Sequence, residues 1–174
     1  QDFSEDTYRT LMAADSAVMV LDAAKGIEQQ TRKLFKVCAM RHIPIFTFIN
    51  KMDREARDPF ELMEELETEF GIGTYPINWP IGCGQDFKGV YDRETKKILA
   101  FTDAHRGQNR IRATEIPADD VDTVDAFIGQ KLRNTLFDDV ELIDGAGYEF
   151  DIEKVHHGAL SPVFFGSALN NFGV

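Results

Sequence analysis

Ile45-Phe46-Thr47-Phe48-Ile49-Asn50-Lys51-Met52-Asp53 is a run of apolar and aromatic residues of strand length that ends on a polar tetrapeptide. An unbroken apolar run suits a strand inside a parallel sheet, where helices cover both faces. Upstream, Ala17-Val18-Met19-Val20-Leu21 is a second such run, ending at Asp22. Between the two, Gly26 breaks the chain and Ile27 to Met40 takes helical spacing, with Leu34, Phe35, Val37 and Cys38 mostly on one side. Strand, helix, strand with short links predicts a βαβ unit, and so an α/β fold built on a parallel sheet.

Working outward, Asp58-Pro59 reads as N-cap and first turn of another helix, with Phe60, Met63, Leu66 and Phe70 on one face and Gly71 as its stop. Val163 to Phe165 is a third strand. Ser4, followed by Glu5 and Asp6, caps a helix expected to run to about Ala14. Residues 82–158 break the alternation and read as an inserted lobe: Val90-Tyr91 and Ile98 to Phe101 flank a hairpin turn, and Asp119 to about Phe137 has helical spacing.

The formal charge of −11 and pI near 4.8 argue against indiscriminate binding to nucleic acid or an anionic membrane, because like charges repel at long range. Contact with RNA is therefore local. The two cysteines, Cys38 and Cys83, lack zinc-site spacing and suit a reducing compartment. No apolar run approaches the length of a membrane span.

The tetrapeptide carries the chemistry, because open α/β sheets bind ligands at the carboxyl ends of their strands. Guanine presents N1–H and a 2-amino group side by side, and the Asp53 carboxylate can accept from both. Adenine has no 2-amino group and an unprotonated N1, so the same carboxylate would reject it. Asn50 can fix the loop and touch the imidazole edge, while the Lys51 stem can lie across the base with its ammonium in water. By average composition such a tetrapeptide arises by chance in roughly 2% of chains this long. Ser167-Ala168-Leu169, at the carboxyl end of Val163 to Phe165, is the second element: small residues there let backbone N–H groups reach guanine O6.

Other polar clusters are blander. His156-His157 diverge by about 100° on a helix and share no metal easily. Ser161 lacks a nucleophile elbow. Asp119, Asp120, Asp122 and Asp125 lack the glycine and terminal glutamate of a calcium loop. No metal ligand and no catalytic residue is assigned.

Asn50-Lys51-Met52-Asp53 and Ser167-Ala168-Leu169 resemble the fourth and fifth guanine-nucleotide motifs of the translation-factor GTPases. Asp2-Phe3-Ser4-Glu5-Asp6-Thr7-Tyr8 resembles the segment just downstream of that family's Asp-Thr-Pro-Gly-His motif. The nearest likeness is to its termination branch, the bacterial GTPase release factors, through Phe3 to Leu11, Ile45 to Asp53, Trp79-Pro80-Ile81-Gly82, Phe87 to Tyr91 and Pro162 to Val174. The resemblance implies a partial P-loop-GTPase-type parallel sheet with flanking helices, a G domain of residues 1–81 and 159–174, and an inserted α+β subdomain of 82–158. It implies that an intact parent in the cytoplasm binds GTP or GDP with Mg²⁺, hydrolyses GTP on the ribosome and displaces the decoding release factors.

The missing Asp-Thr-Pro-Gly-His motif would end just before Gln1, so the chain is expected to be a fragment. Gly-x-x-x-x-Gly-Lys-Ser/Thr does not occur in it, which removes the phosphate cradle. The residues that would hold Mg²⁺ likewise have no counterpart. The fragment is thus expected to need no cofactor, to bind guanine nucleotide weakly and to hydrolyse none. By the family's topology, Ala17 to Leu21 should lose its phosphate-loop neighbour, leaving an open sheet edge through which the fragment could self-associate. Two alternatives stand: the G-domain piece of an elongation-factor-type translocase, and a ribosome- or stalk-docking module that binds no nucleotide of its own.

Overall fold

The computed structural model describes residues 15–102 and 112–167. The helix expected over Ser4 to Ala14 lies outside them, as do Ala168 and Leu169.

Four strands form a parallel sheet in the order β1 (Ala17–Asp22), β2 (Ile45–Asn50), β8 (Leu160–Phe165), β3 (Gly73–Pro76). β1 and β2 pair in register from Ala17–Ile45 to Asp22–Asn50, so their carboxyl ends lie side by side. β8 pairs with β2 from Val163 onward, just after Pro162, which has no N–H to give to a ladder. The sheet's buried hydroxyls are satisfied: Thr47 Oγ1 and Ser161 Oγ are 2.7 Å apart, Ser161 Oγ donates to Ile45 O at 2.7 Å, and Thr74 Oγ1 donates to Glu67 Oε1 at 2.7 Å.

Two helices cover one face. α1 (Gln29–Met40) follows β1, and its Glu28 N–H is accepted by Thr31 Oγ1 at 3.2 Å. α2 (Pro59–Phe70) begins as the sequence indicates: Asp58 caps it by accepting the Phe60 N–H at 2.8 Å, and Pro59 occupies the first turn. It stops at Gly71, whose φ of 65° a side chain would resist. The helices meet through Phe35 and Phe70, stacked with centroids 4.0 Å apart, and through the Arg32–Glu69 ion pair. Beneath them lie Met19, Leu21, Ile49, Val163 and Phe165, all at most 1% exposed.

The other face differs from the expectation of burial on both sides. Val18 and Val20 are 61% and 56% exposed, because in a strand alternate side chains point opposite ways and α1 and α2 cover only one. Among the described residues β1 is also one of the two edge strands of this sheet, with β3 at the other edge.

The second sheet is antiparallel: β4 (Asn78–Ile81), β5 (Gly89–Asp92), β6 (Lys97–Thr102) and β7 (Arg112–Pro117). It opens at Asn78, ahead of the boundary at 82. β3 was not legible in sequence, since Gly-Thr-Tyr-Pro reads as a loop. Gly89 sits at φ 148°, and a Cβ there would lie 2.0 Å from Leu99 O, so the β5–β6 approach depends on its having no side chain.

The single helix expected over Asp119 to Phe137 is two. Gly129, at φ 87° and ψ 154°, leaves the helical region and separates α3 (Val121–Ile128) from α4 (Gln130–Ala146). A short α5 (Ile152–His156) leads into β8. One core runs through both sheets, joined by Trp79. Its ring lies 4.7 Å from Phe60 and 5.4 Å from Phe165, and its indole N–H donates to Asp139 Oδ2 at 3.2 Å.

Burial pushes the Asp139 carboxyl above its ordinary value; the Trp79 indole offsets part of this, and Asp58 and Asp138 add repulsion. A carboxyl raised in the folded state costs stability when ionised, and that cost fades as pH falls through its raised value. Asp139→Asn keeps an acceptor for Trp79 and removes the charge. Its melting temperature should exceed that of the wild type at pH 7, with the difference vanishing near pH 3.8, where the unfolded carboxyl also takes up its proton. Thermal melts across that range measure it.

Candidate functional site

The site lies where β1, β2 and β8 end together. The chain leaves β2 at Asn50, whose Oδ1 accepts the Lys51 N–H at 2.8 Å. Lys51 then takes φ 68°, a left-handed turn uncommon for a residue with a side chain. Met52 turns inward and is fully buried. Its N–H donates to Gly166 O at 3.1 Å and its carbonyl accepts the Gly84 N–H at 2.9 Å. One buried residue thus ties the loop both to the end of β8 and to the second sheet's first turn.

With Met52 inside, Lys51 and Asp53 are left half-buried at the rim. The Gly166 N–H donates to Ile49 O at 3.0 Å, carrying the β2–β8 association past the end of the strand. That brings Ser167, itself buried, against the loop, and its hydroxyl donates to Asp53 Oδ1 at 2.7 Å. A hydrogen bond of this kind, from a neutral donor to a carboxylate, fixes the plane of the acid. The sequence points to small size and backbone access at Ser167; the side-chain bond to Asp53 is an addition.

Asp22 is a second partner that the sequence reading missed. Its Oδ2 accepts from Lys51 Nζ at 3.0 Å, and its Oδ1 from the Ala24 N–H at 2.8 Å. Burial alone would raise this carboxyl, but the Ala24 N–H, the Lys51 ammonium and the Lys25 N–H together hold it below the usual carboxylate value. Nothing in spacing marks the pair, because 29 residues separate them; only the register of β1 on β2 does, once known.

Around this rim the β1–α1 loop is pinned from α2. Glu65 Oε1 accepts the Ile27 N–H at 3.0 Å, and Glu65 Oε2 accepts from Arg57 Nη1 at 2.5 Å. The Arg57 N–H also donates to Ala23 O at 2.9 Å. The arrangement offers an oriented carboxylate, a lysine stem and a small hydroxyl-bearing strand end around one opening. Such an arrangement can accept hydrogen bonds from adjacent N–H donors of a planar group. Among the described residues, no three His, Cys, Asp or Glu side chains gather as a metal set, and no helix is long and apolar enough to cross a membrane.

The family profile described as "Elongation factor Tu GTP binding domain" matches residues 1–174. Proteins named "Peptide chain release factor 3" are similar along the whole chain: 56% identical in Cyanothece sp. (strain PCC 7425 / ATCC 29141) and 55% in Symbiobacterium thermophilum. The match covers 32% and 33% of those two proteins, so the chain spans about a third of the length of the curated relatives it matches. A crystal structure of a protein from Thermus thermophilus superposes with a TM-score of 0.63 at 22% identity, covering 95% of this chain and 26% of that one, which shows a shared fold. With a parallel sheet flanked by helices and a family match from end to end, this chain belongs to the elongation factor Tu-type GTP-binding domain family of translation GTPases.

Proposed function

We propose that Asn50, Lys51, Asp53 and Ser167, with Ala168 and Leu169 beyond the described residues, read the guanine base of GTP or GDP in a translation-termination GTPase. The observation that carries this reading is the 2.7 Å bond from Ser167 to Asp53. It joins the two loops that must flank one base and turns the acid into a fixed double acceptor. Lys51 closes one side of the opening with its stem, and guanine supplies the paired donors that the Asp53 carboxylate needs.

The names of the relatives support termination over translocation. On that reading the whole protein works in the cytoplasm, hydrolyses GTP on the ribosome and promotes release of the decoding release factors. Phosphate and Mg²⁺ contacts fall to sequence outside these 174 residues, since the phosphate-loop pattern does not occur in them. Residues 82–158, its inserted subdomain on this reading, take in all of the second sheet but β4. The edge position of β1 and its exposed valines support self-association of this stretch when expressed by itself.

Titrating GDP, with ADP as control, into the isotope-labelled chain tests the base reading. Amide shifts at Lys51, Asp53 and Ser167 are expected with millimolar GDP and not with ADP. Equal shifts with both nucleotides would overturn the guanine assignment.

A further inference from the structure

Asp22 is held more firmly than an ordinary surface acid. Its side chain is 14% exposed against 43% for Lys51. Its backbone carbonyl accepts the Gly26 N–H at 2.8 Å and the Lys25 N–H at 3.1 Å, closing a turn around the residue. The bond from Ala24 to Oδ1 then aims Oδ2 at the Lys51 ammonium, 3.0 Å away. Lys51 is equally constrained at its other end, by its positive φ and by the Asn50 side chain on its N–H. Its flexible stem therefore starts from a fixed backbone and finishes on a fixed anion.

On the reading that the Lys51 stem covers the base, we propose that Asp22 is a positioning residue for guanine recognition, holding the lysine extended across the opening before nucleotide arrives. A free lysine must give up its rotamer freedom when a base slides beneath it, and that loss is charged against affinity. Anchoring the ammonium beforehand moves the loss into folding. Asp22 touches no nucleotide on this account; it acts through Lys51 alone. That separates it from an exposed ion pair, which would change little when broken.

The test uses the full-length natural protein containing these residues, with the GDP dissociation constant measured by calorimetry and ADP as control. Asp22→Asn keeps an oxygen for the Ala24 N–H and removes the anion. It should weaken GDP binding about fivefold, the cost of ordering one long side chain. Asp22→Glu should recover part of the loss. In a Lys51→Ala background, Asp22→Asn should cost nothing further, an absence of effect that a merely structural residue would not give. Should melts show that Asp22→Asn no longer folds, Asp22→Ser, which can also accept from Ala24, takes its place. Unchanged GDP affinity in the single variant, or the same loss persisting without Lys51, would overturn the role of Asp22 while leaving the base site intact. If Lys51→Ala alone binds GDP as tightly as the wild type, the base-covering role of Lys51 fails first and the anchoring role goes with it.

Discussion

Asp53→Asn in the full-length protein should lose about a thousandfold in GDP affinity and bind xanthosine diphosphate in its place. On the proposed base-reading role, two charge-assisted hydrogen bonds, each contributing about 1.5–3 kcal/mol, lose their charge together, and one of them becomes a donor–donor clash. Ser167 donates its hydroxyl to Oδ1, which favours the amide oxygen at that position and puts the amide nitrogen in the place of Oδ2. A donor there meets the guanine 2-amino group and repels it, whereas xanthine carries an oxygen at the same point. Calorimetric titration with both diphosphates measures the exchange. A variant that keeps its preference for GDP would remove Asp53 from the site.

Trp79→Ala should be the most damaging single truncation for stability. The side chain is 1% exposed and packs against Phe60 at the start of α2 and Phe165 at the end of β8, while its indole reaches Asp139 on α4. Emptying a site of that size costs about 3–5 kcal/mol. For a chain of this length that corresponds to a fall of about 10 °C in melting temperature. Trp79→Phe refills most of the volume and gives up only the bond to Asp139, so it should fall much less. Melts followed by circular dichroism distinguish the two, and a Trp79→Ala variant as stable as the wild type would show that the two sheets are not joined through this ring.

What the sequence disclosed depended on how local each signal was. Ile45 to Asp53 was legible because a buried parallel strand needs an unbroken apolar run and the polar turn comes directly after it. The ends of α2 were legible for a similar reason, as Asp58, Pro59 and Gly71 each have one good place on a helix. Val18 and Val20 misled, because an apolar residue looks the same in sequence whether or not anything covers it. The helical spacing from Asp119 ran across Gly129, whose cost in a helix is about 1 kcal/mol, too little to decide the matter against so regular a pattern. Asp22 and Ser167 acquire their partners only when β1, β2 and β8 come into register, 29 and 114 residues apart in the chain. Pairings of that kind carry no trace in a single sequence.

Past Val163, β8 has lost β3 as a neighbour, since their pairing ends with Pro76 opposite Val163. Phe165 nevertheless has a complete peptide partner on that side: Asn78 Oδ1 accepts its N–H at 2.7 Å, and Asn78 Nδ2 donates to its carbonyl at 3.1 Å. A side-chain amide, planar and carrying one donor and one acceptor, is standing in for a missing length of strand. Because Asn78 opens β4, the proton on Phe165 is locked by a residue of the other sheet. Solvent deuterium can replace it only when the sheets part at their seam, so this amide keeps time for the joint between the parallel and the antiparallel sheet.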